Sequence, residues 1–288
     1  MNSEQKLILS GAATVALRPR ACVQFGLDSA SAGIIDCDDM SAARKMAEII
    51  RACHQPITVA GLLHRLREAK FDSNLSRAVV EDLVTYKILT ALTAPPAVAI
   101  VGNSPLARTI TSLLHEDHWR VYTKDPGANI ADFVQVWGGH ACVICVDTLL
   151  ESPAIAKATR GITGINLIQA AIVDGRGWIG PVMVHGDGAC PMCAELYRID
   201  RDPQWRSLLA QQLSSRPTTP PATIAATAAE VVSLAGLLSK YSPAPPGTTA
   251  RNVEAGEVTV IEPYSGRFSR SIMHPHRWCD VCFSAERT

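Results

Sequence analysis

Apolar and polar positions follow different rhythms along the chain, and each change of rhythm marks a new part. Between about residues 15 and 36, two short strand-like runs, "ACVQFG" and "AGIID", flank the turn-forming "LDSAS" and predict a β-hairpin. Three runs with helical spacing follow. "SAARKMAEIIRAC" sets Met46, Ile49 and Ile50 on one face, and "TVAGLLHRLREAK" starts on Thr58 as an N-cap with Val59, Leu62, Leu63 and Leu66 inside. "LSRAVVEDLVTYKIL" places Val79, Val80, Leu83, Val84 and Ile88 inward. Strands followed by three short helices predict a small winged-helix-like α+β domain over residues 1–92, ending at the linker "TALTAPPA".

After the linker the rhythm becomes that of buried parallel strands alternating with helices. "AVAIV", Ala97–Val101, is a continuous apolar run. Gly102 makes a turn, Ser104 caps a helix that opens on Pro105, and "WRVYT" gives the next strand. This predicts a Rossmann-like α/β domain over residues 97–288. "ACVICVD", "INLIQAAIV" and "GWIGPVMV" add strands, "DPQWRSLLAQQL" and "ATIAATAAEVVSLAGLLSKY" add helices, and "EVTVIEPYSGRFSRSIM" reads as a closing hairpin. The dinucleotide fingerprint is eroded. Its glycine positions hold Gly102, Ser104 and Ala107, and Pro105 removes an N–H where an anion would sit. Asp125 stands about where a ribose-binding acid belongs.

Composition narrows the function. At 288 residues with zero formal net charge, the chain lacks the electrostatic footprint of a nucleic-acid binder, and no nucleic-acid partner is expected. No signal peptide is visible. The one long apolar run, Ala222–Tyr241, contains Glu230 and is alanine-rich, so it reads as a buried helix and not a membrane span. A soluble, cytoplasmic protein without a membrane partner is expected.

Nine cysteines in a reducing compartment argue against a disulfide framework. Cys190 and Cys193 form one Cys-x-x-Cys in "GDGACPMC", and Cys279 and Cys282 a second in "HPHRWCDVC". One pair alone would compete with a thioredoxin-like redox motif. Two pairs supply the four thiolates of a closed, structural zinc site tying the carboxy-terminal segment to the middle of the chain. His185, His274 and His276 stand near these pairs as supporting or surface groups.

In this order the features resemble the ThiF-type, ubiquitin-activating-enzyme-like superfamily over nearly the whole chain. Within it they are similar to the divergent cyclodehydratase and leader-peptide-binding proteins of thiazole/oxazole-modified peptide pathways. The resemblance lies in the "VGNSPLA" turn, the strand ending at Asp147, the "GPVMVHGDGACPMC" knuckle with its Arg198, Asp200, Arg201, Asp202 and Trp205 run, and the closing knuckle. The amino-terminal region is similar to the PqqD-like peptide-recognition element. The resemblance implies structural zinc on the four knuckle cysteines, dimers, and Asp147 as the aspartate of a metal–nucleotide site. It also implies arginine and lysine side chains on ATP phosphates, supplied between the second strand and the strand ending at Asp147. Here that segment, "PGANIADFVQVWGGH", has neither, and no cysteine nucleophile lies between Cys193 and Cys279. ATP binding is therefore not expected.

The leading expectation is a non-adenylating scaffold protein, a homodimer. It would bind the leader of a ribosomally made precursor along Ile34 and Ile35, beside Val80 and Val84, and present it to a YcaO-type cyclodehydratase. The run from Arg198 to Trp205 is either a docking surface or a salt-bridge cluster at a helix entry with Trp205 buried. Two alternatives remain open: an ATP-dependent adenylyltransferase using Asp147, and a regulator whose third helix, with Arg77 and Lys87 offset by Glu81 and Asp82, reads DNA.

Overall fold

The computed structural model describes residues 2–28, 30–215, 218–241 and 245–285. They divide into two compact units, Met1–Ala94 with Pro243–Ala250, and Pro95–Ser242 with Arg251–Thr288.

The first unit begins with β1 (Lys6–Leu9), β2 (Val15–Arg18), β3 (Cys22–Phe25) and β4 (Gly33–Asp36). It continues through α1 (Met40–Ala52), β5 (Ile57–Thr58), α2 (Val59–Glu68), α3 (Ser73–Thr85) and β6 (Leu89–Ala91). Side chains fix all three helix starts by accepting the first free N–H groups. Asp39 accepts from Ala42 N at 2.8 Å, Thr58 from Gly61 N at 3.0 Å, and Asp72 from Asn74 N at 2.9 Å and Leu75 N at 3.0 Å. The apolar stripes of the helices meet Leu7, Val23 and Phe25 in one core. β2, β3 and β4 form an antiparallel meander that contains the predicted hairpin. A second sheet, in the order β5-β1-β6, was not foreseen, because Leu7 pairs with Ile57 and Ala91, far away in sequence.

The second unit is built on β7 (Ala97–Val101), β8 (Arg120–Thr123), β9 (Cys142–Val146), β10 (Leu167–Val173), β11 (Arg176–Met183), β12 (Glu257–Glu262) and β13 (Arg267–Ile272). They form one sheet in the order β13-β12-β11-β10-β9-β7-β8, with β8, β7, β9 and β10 parallel and the rest antiparallel. This is a Rossmann-like mixed sheet. Its helices are α4 (Pro105–Glu116), α5 (Ile130–Trp137), α6 (Ser152–Thr159), α7 (Pro191–Arg201), α8 (Trp205–Ser215), α9 (Pro221–Leu238) and α10 (Asp280–Ala285). The helices α5 and α6 were not predicted; α5 occupies the segment lacking arginine and lysine.

One face of the sheet packs on α4 and α9, where Ile110 and Leu114 meet Ala228, Val231 and Leu234. The other face carries α5, α6 and α7. Helix α9 is long and apolar enough in itself to cross a membrane. Its Thr227, Ala228, Val231 and Leu234 are buried on the sheet, and Glu230 lies 3.4 Å from Arg251 and 3.2 Å from Arg270. Arg251 also pairs with buried Glu257 at 2.7 Å.

Candidate metal centre and switch-point cleft

Beyond β11 the chain turns sharply through "HGDG". His185 has a φ of 54°, and Gly188, at φ 100°, has no room for a Cβ because the backbone of Gly256 passes 2.5 Å from where it would lie. The turn delivers Cys190 to the N-cap of α7, with Pro191 at the first helical position. Cys193 N donates to Cys190 O at 2.9 Å, closing the first knuckle, and Cys279 N donates to His276 O at 2.9 Å in the second.

The two knuckles face each other. The Cys190 sulfur is 3.7 Å from that of Cys193 and 3.5 Å from that of Cys279, and Cys193 is 3.5 Å from Cys282. All four sulfurs lie within 4.8 Å of one another, and Cys190, Cys193 and Cys279 are buried. A tetrahedral zinc with Zn–S bonds of about 2.3 Å requires sulfurs ~3.8 Å apart. The spacing fits that tetrahedron and is far too long for disulfides, which need about 2.05 Å.

With protons alone the cluster is electrostatically lopsided. Hydrogen bonds from Cys190 and Cys282, with a smaller one from the His276 N–H, pull the Cys193 thiol well below the ordinary thiol range against the opposing effect of burial. Hydrogen bonds with Cys193 and Cys282, together with burial, push Cys190 far above the ordinary thiol range. Thiolates packed this closely repel one another, and a divalent cation is what would allow all four to ionise. The donor set therefore fits zinc, held by Cys190, Cys193, Cys279 and Cys282. Bound there, it would cross-link the chain and leave no open position for catalysis.

His276 supports the cluster without joining it. Its backbone N–H donates to the Cys193 sulfur at 3.2 Å. Its ring Nδ1 accepts from Trp278 N at 3.2 Å, so Nε2 carries the proton and donates to Asp200 at 2.9 Å. The Tyr197 ring meets the buried imidazole edge-on at 4.7 Å.

The charged run after the first knuckle is thereby divided among separate tasks. Asp200 anchors the second knuckle through His276. Asp202 makes the turn into α8, its carboxylate accepting from Gln204 N at 2.9 Å. The Arg198 guanidinium lies 5.3 Å from the centre of the Trp205 ring. Trp205 packs beside Leu149, Ala171 and Leu209. Arg201 is exposed. Buried Glu195, which the sequence reading missed, lies 3.1 Å from Arg206.

At the far end of the parallel strands, β7 and β9 are neighbours whose helices leave in opposite directions, a topological switch point. The structure brings Gly102, Ser104 and Asp147 together here. Gly102 has a φ of 126°, and a Cβ would run into the carbonyl of Val146. Its glycine is thus required by packing, whatever the cleft binds. Ser104 caps α4 by accepting from Ala107 N at 3.2 Å. Asp147, at φ 52°, accepts from Ile172 N at 3.1 Å. Packing around its carboxylate raises its pKa, although the residue keeps an exposed surface; hydrogen bonds from Ser104 and Ile172 pull the other way.

Asp125 is exposed, and its carbonyl accepts from Lys124 Nζ at 2.7 Å. Lys124 also donates to Ala128 O at 2.8 Å, and Arg108 donates to Asn103 O at 2.6 Å. These two cations, which the sequence reading passed over, are engaged with backbone carbonyls.

In the first unit, Ile35 turns inward onto the core, Val84 packs against it, and Val80 is wholly enclosed with no surface to offer a partner. Ile34 points outward and is 49% exposed. Cys37 N donates to Ala21 O at 2.9 Å, so the alternation along β4 turns the main-chain N–H of Ile34 away from β3.

A Rossmann-like sheet with a switch-point aspartate, closed at one end by a four-thiol cluster, defines the class of the second unit. No family model and no curated protein matches the sequence. Solved structures do. The heterocyclase TruD matches with a TM-score of 0.60 at 16% identity, over 96% of this chain and 43% of its own. A heterocyclase in complex with substrate and cofactor gives 0.59 at 15%, over 96% of this chain and 39% of its own. E. coli MccB with ATP gives 0.53 at 12%, over 96% and 99%. The chain thus spans about two fifths of the heterocyclases and nearly all of MccB, and what it shares with them is the fold.

Proposed function

We propose that this protein binds the leader of a ribosomally made precursor peptide and presents it to a partner enzyme, without adenylating it. The carrying observation is the outer edge of β4, where Ile34 offers an exposed apolar side chain and an outward N–H. An extended peptide can add there as a further strand, taking affinity from main-chain hydrogen bonds. This narrows the recognition surface to Ile34 and the edge itself, with Ile35, Val80 and Val84 as the packed support beneath. The shared fold with heterocyclases and with MccB supports a place in peptide modification; a YcaO-type cyclodehydratase is the partner we infer, and a homodimer the assembly.

The non-adenylating half of the reading rests on the cleft. Phosphoryl charge must be offset in the transition state by cations aimed at it. Lys124 and Arg108 are engaged with carbonyls, α5 carries neither lysine nor arginine, and Asp147 remains alone. Calorimetry of the full chain with leader peptides encoded beside this gene tests the first half, and absence of binding to all of them would overturn it. Pyrophosphate–ATP exchange tests the second half: no exchange is expected, and measurable exchange would move the protein to the adenylyltransferases.

A further inference from the structure

Helix α7 packs on one face of the sheet. Between it and the last strands opens a cavity of about 420 Å³, within the range of small-molecule sites. Its floor comes from one face of the sheet. Trp178 stands opposite Val260, and Val258 opposite Ser271, so these side chains point the same way. Its wall is one stripe of α7, Tyr197, Arg198 and Arg201, and His274 stands at the rim.

The charge of this cavity is one-sided: no aspartate or glutamate lines it. Among the described residues, neither Arg198 nor Arg201 is within ion-pair distance of a carboxylate, although six arginine–carboxylate pairs occur elsewhere. Nη1 of Arg198 is buried without a hydrogen-bond partner. Burying a guanidinium nitrogen unpaired is costly. Burial also lowers the pKa of Arg198, as does the nearby charge of Arg201, with Glu195 opposing. Two arginines on one stripe of α7, beside an aromatic and aliphatic floor, suit a planar anion on an apolar body.

We propose that this cavity is a binding site for a carboxylate carried on an aromatic or aliphatic group, as the C-terminal residue of a peptide or a free carboxylic acid presents it. Arg198 and Arg201 hold the carboxylate, and Trp178 with Val258 and Val260 receives the apolar body. The site lies wholly in the second unit and does not rest on leader binding at β4.

The test is calorimetry of the full chain with N-acetyl-phenylalanine, its amide, phenylpropionate and inorganic phosphate. Saturable binding of at least one acid is expected. N-acetyl-phenylalanine should bind about tenfold or more tightly than its amide, since a charge-assisted pair is lost. Arg201→Gln, at an exposed position that leaves the fold intact, should weaken acid binding about tenfold, and Arg198→Lys should weaken it less than Arg198→Gln. Which acid binds better tells a chain end from a free acid. No binding of either acid at millimolar concentration, equal binding of acid and amide, or unchanged affinity in Arg201→Gln would each overturn the proposal. Phosphate binding in place of the acids would do so too.

Discussion

Gly102 shows how a residue can look functional for a structural reason. In the sequence it reads as the surviving glycine of a phosphate-binding turn. In the structure, its left-handed backbone and the Val146 carbonyl already forbid a side chain. Gly102→Ala should therefore destabilise the protein by at least about 2 kcal/mol with no nucleotide present, measured by urea unfolding. Asp72 makes a second prediction at this scale. The N–H groups of Leu75 and Asn74 hold its carboxylate below the ordinary range. A depressed folded pKa stabilises fully above the unfolded value of about 3.9 and fades as pH falls through the folded one. The urea midpoint should thus fall in acid by less in Asp72→Asn than in the wild type, because asparagine caps without titrating. The thiols of Cys142 and Cys145, pushed up to about 12 by burial, have the inertness of small core residues.

At the scale of elements, legibility followed locality. β7, its turn and α4 could be read because the apolar run, the capping Ser104 and Pro105 are contiguous. α1, α2 and α3 could be read from their caps and spacing. β1, β5 and β6 could not, since four-, two- and three-residue strands acquire meaning only from partners far along the chain. α5 stayed hidden because its segment drew attention for the charges it lacks, while Asn129 was already in place as its cap, accepting from Ala131 N at 2.7 Å. The inward turn of Val80 was legible as helical spacing, yet its complete enclosure by neighbouring elements was not. Two measurements belong here. Leu234→Ala, in the buried face of α9, should cost about 2–5 kcal/mol of stability. Ile34→Pro removes an outward N–H from β4 without touching the bonds to β3. It should abolish leader binding while the circular dichroism spectrum stays unchanged.

For the whole molecule, the four sulfurs were readable because Cys-x-x-Cys spacing is a local property, although their meeting is not. His276 and Asp200 each stood out in the sequence, the first as a supporting group beside the knuckles and the second in the charged run, but their pairing had no signal there, being 76 residues apart. Structural zinc contributes on the order of 10 kcal/mol of apparent free energy in small modules. Cys279→Ser should remove the metal, measured by elemental analysis, and lower the melting temperature sharply. Chelation of the wild type should do the same, and added zinc should reverse it. Unchanged metal content in the variant would remove the assignment.

The chain leaves its first unit at Ala94 and comes back to it at Pro243–Ala250, where Gly247 N donates to Tyr86 O at 2.9 Å. The two units are therefore threaded through one another in sequence. On the ribosome, the first cannot be finished until most of the second has been made. A protease that severed only the proline linker would leave residues 1–94 held to the rest of the chain by non-covalent contacts with the returning segment alone, and a fragment ending at Ala94 would lack a piece of its own surface.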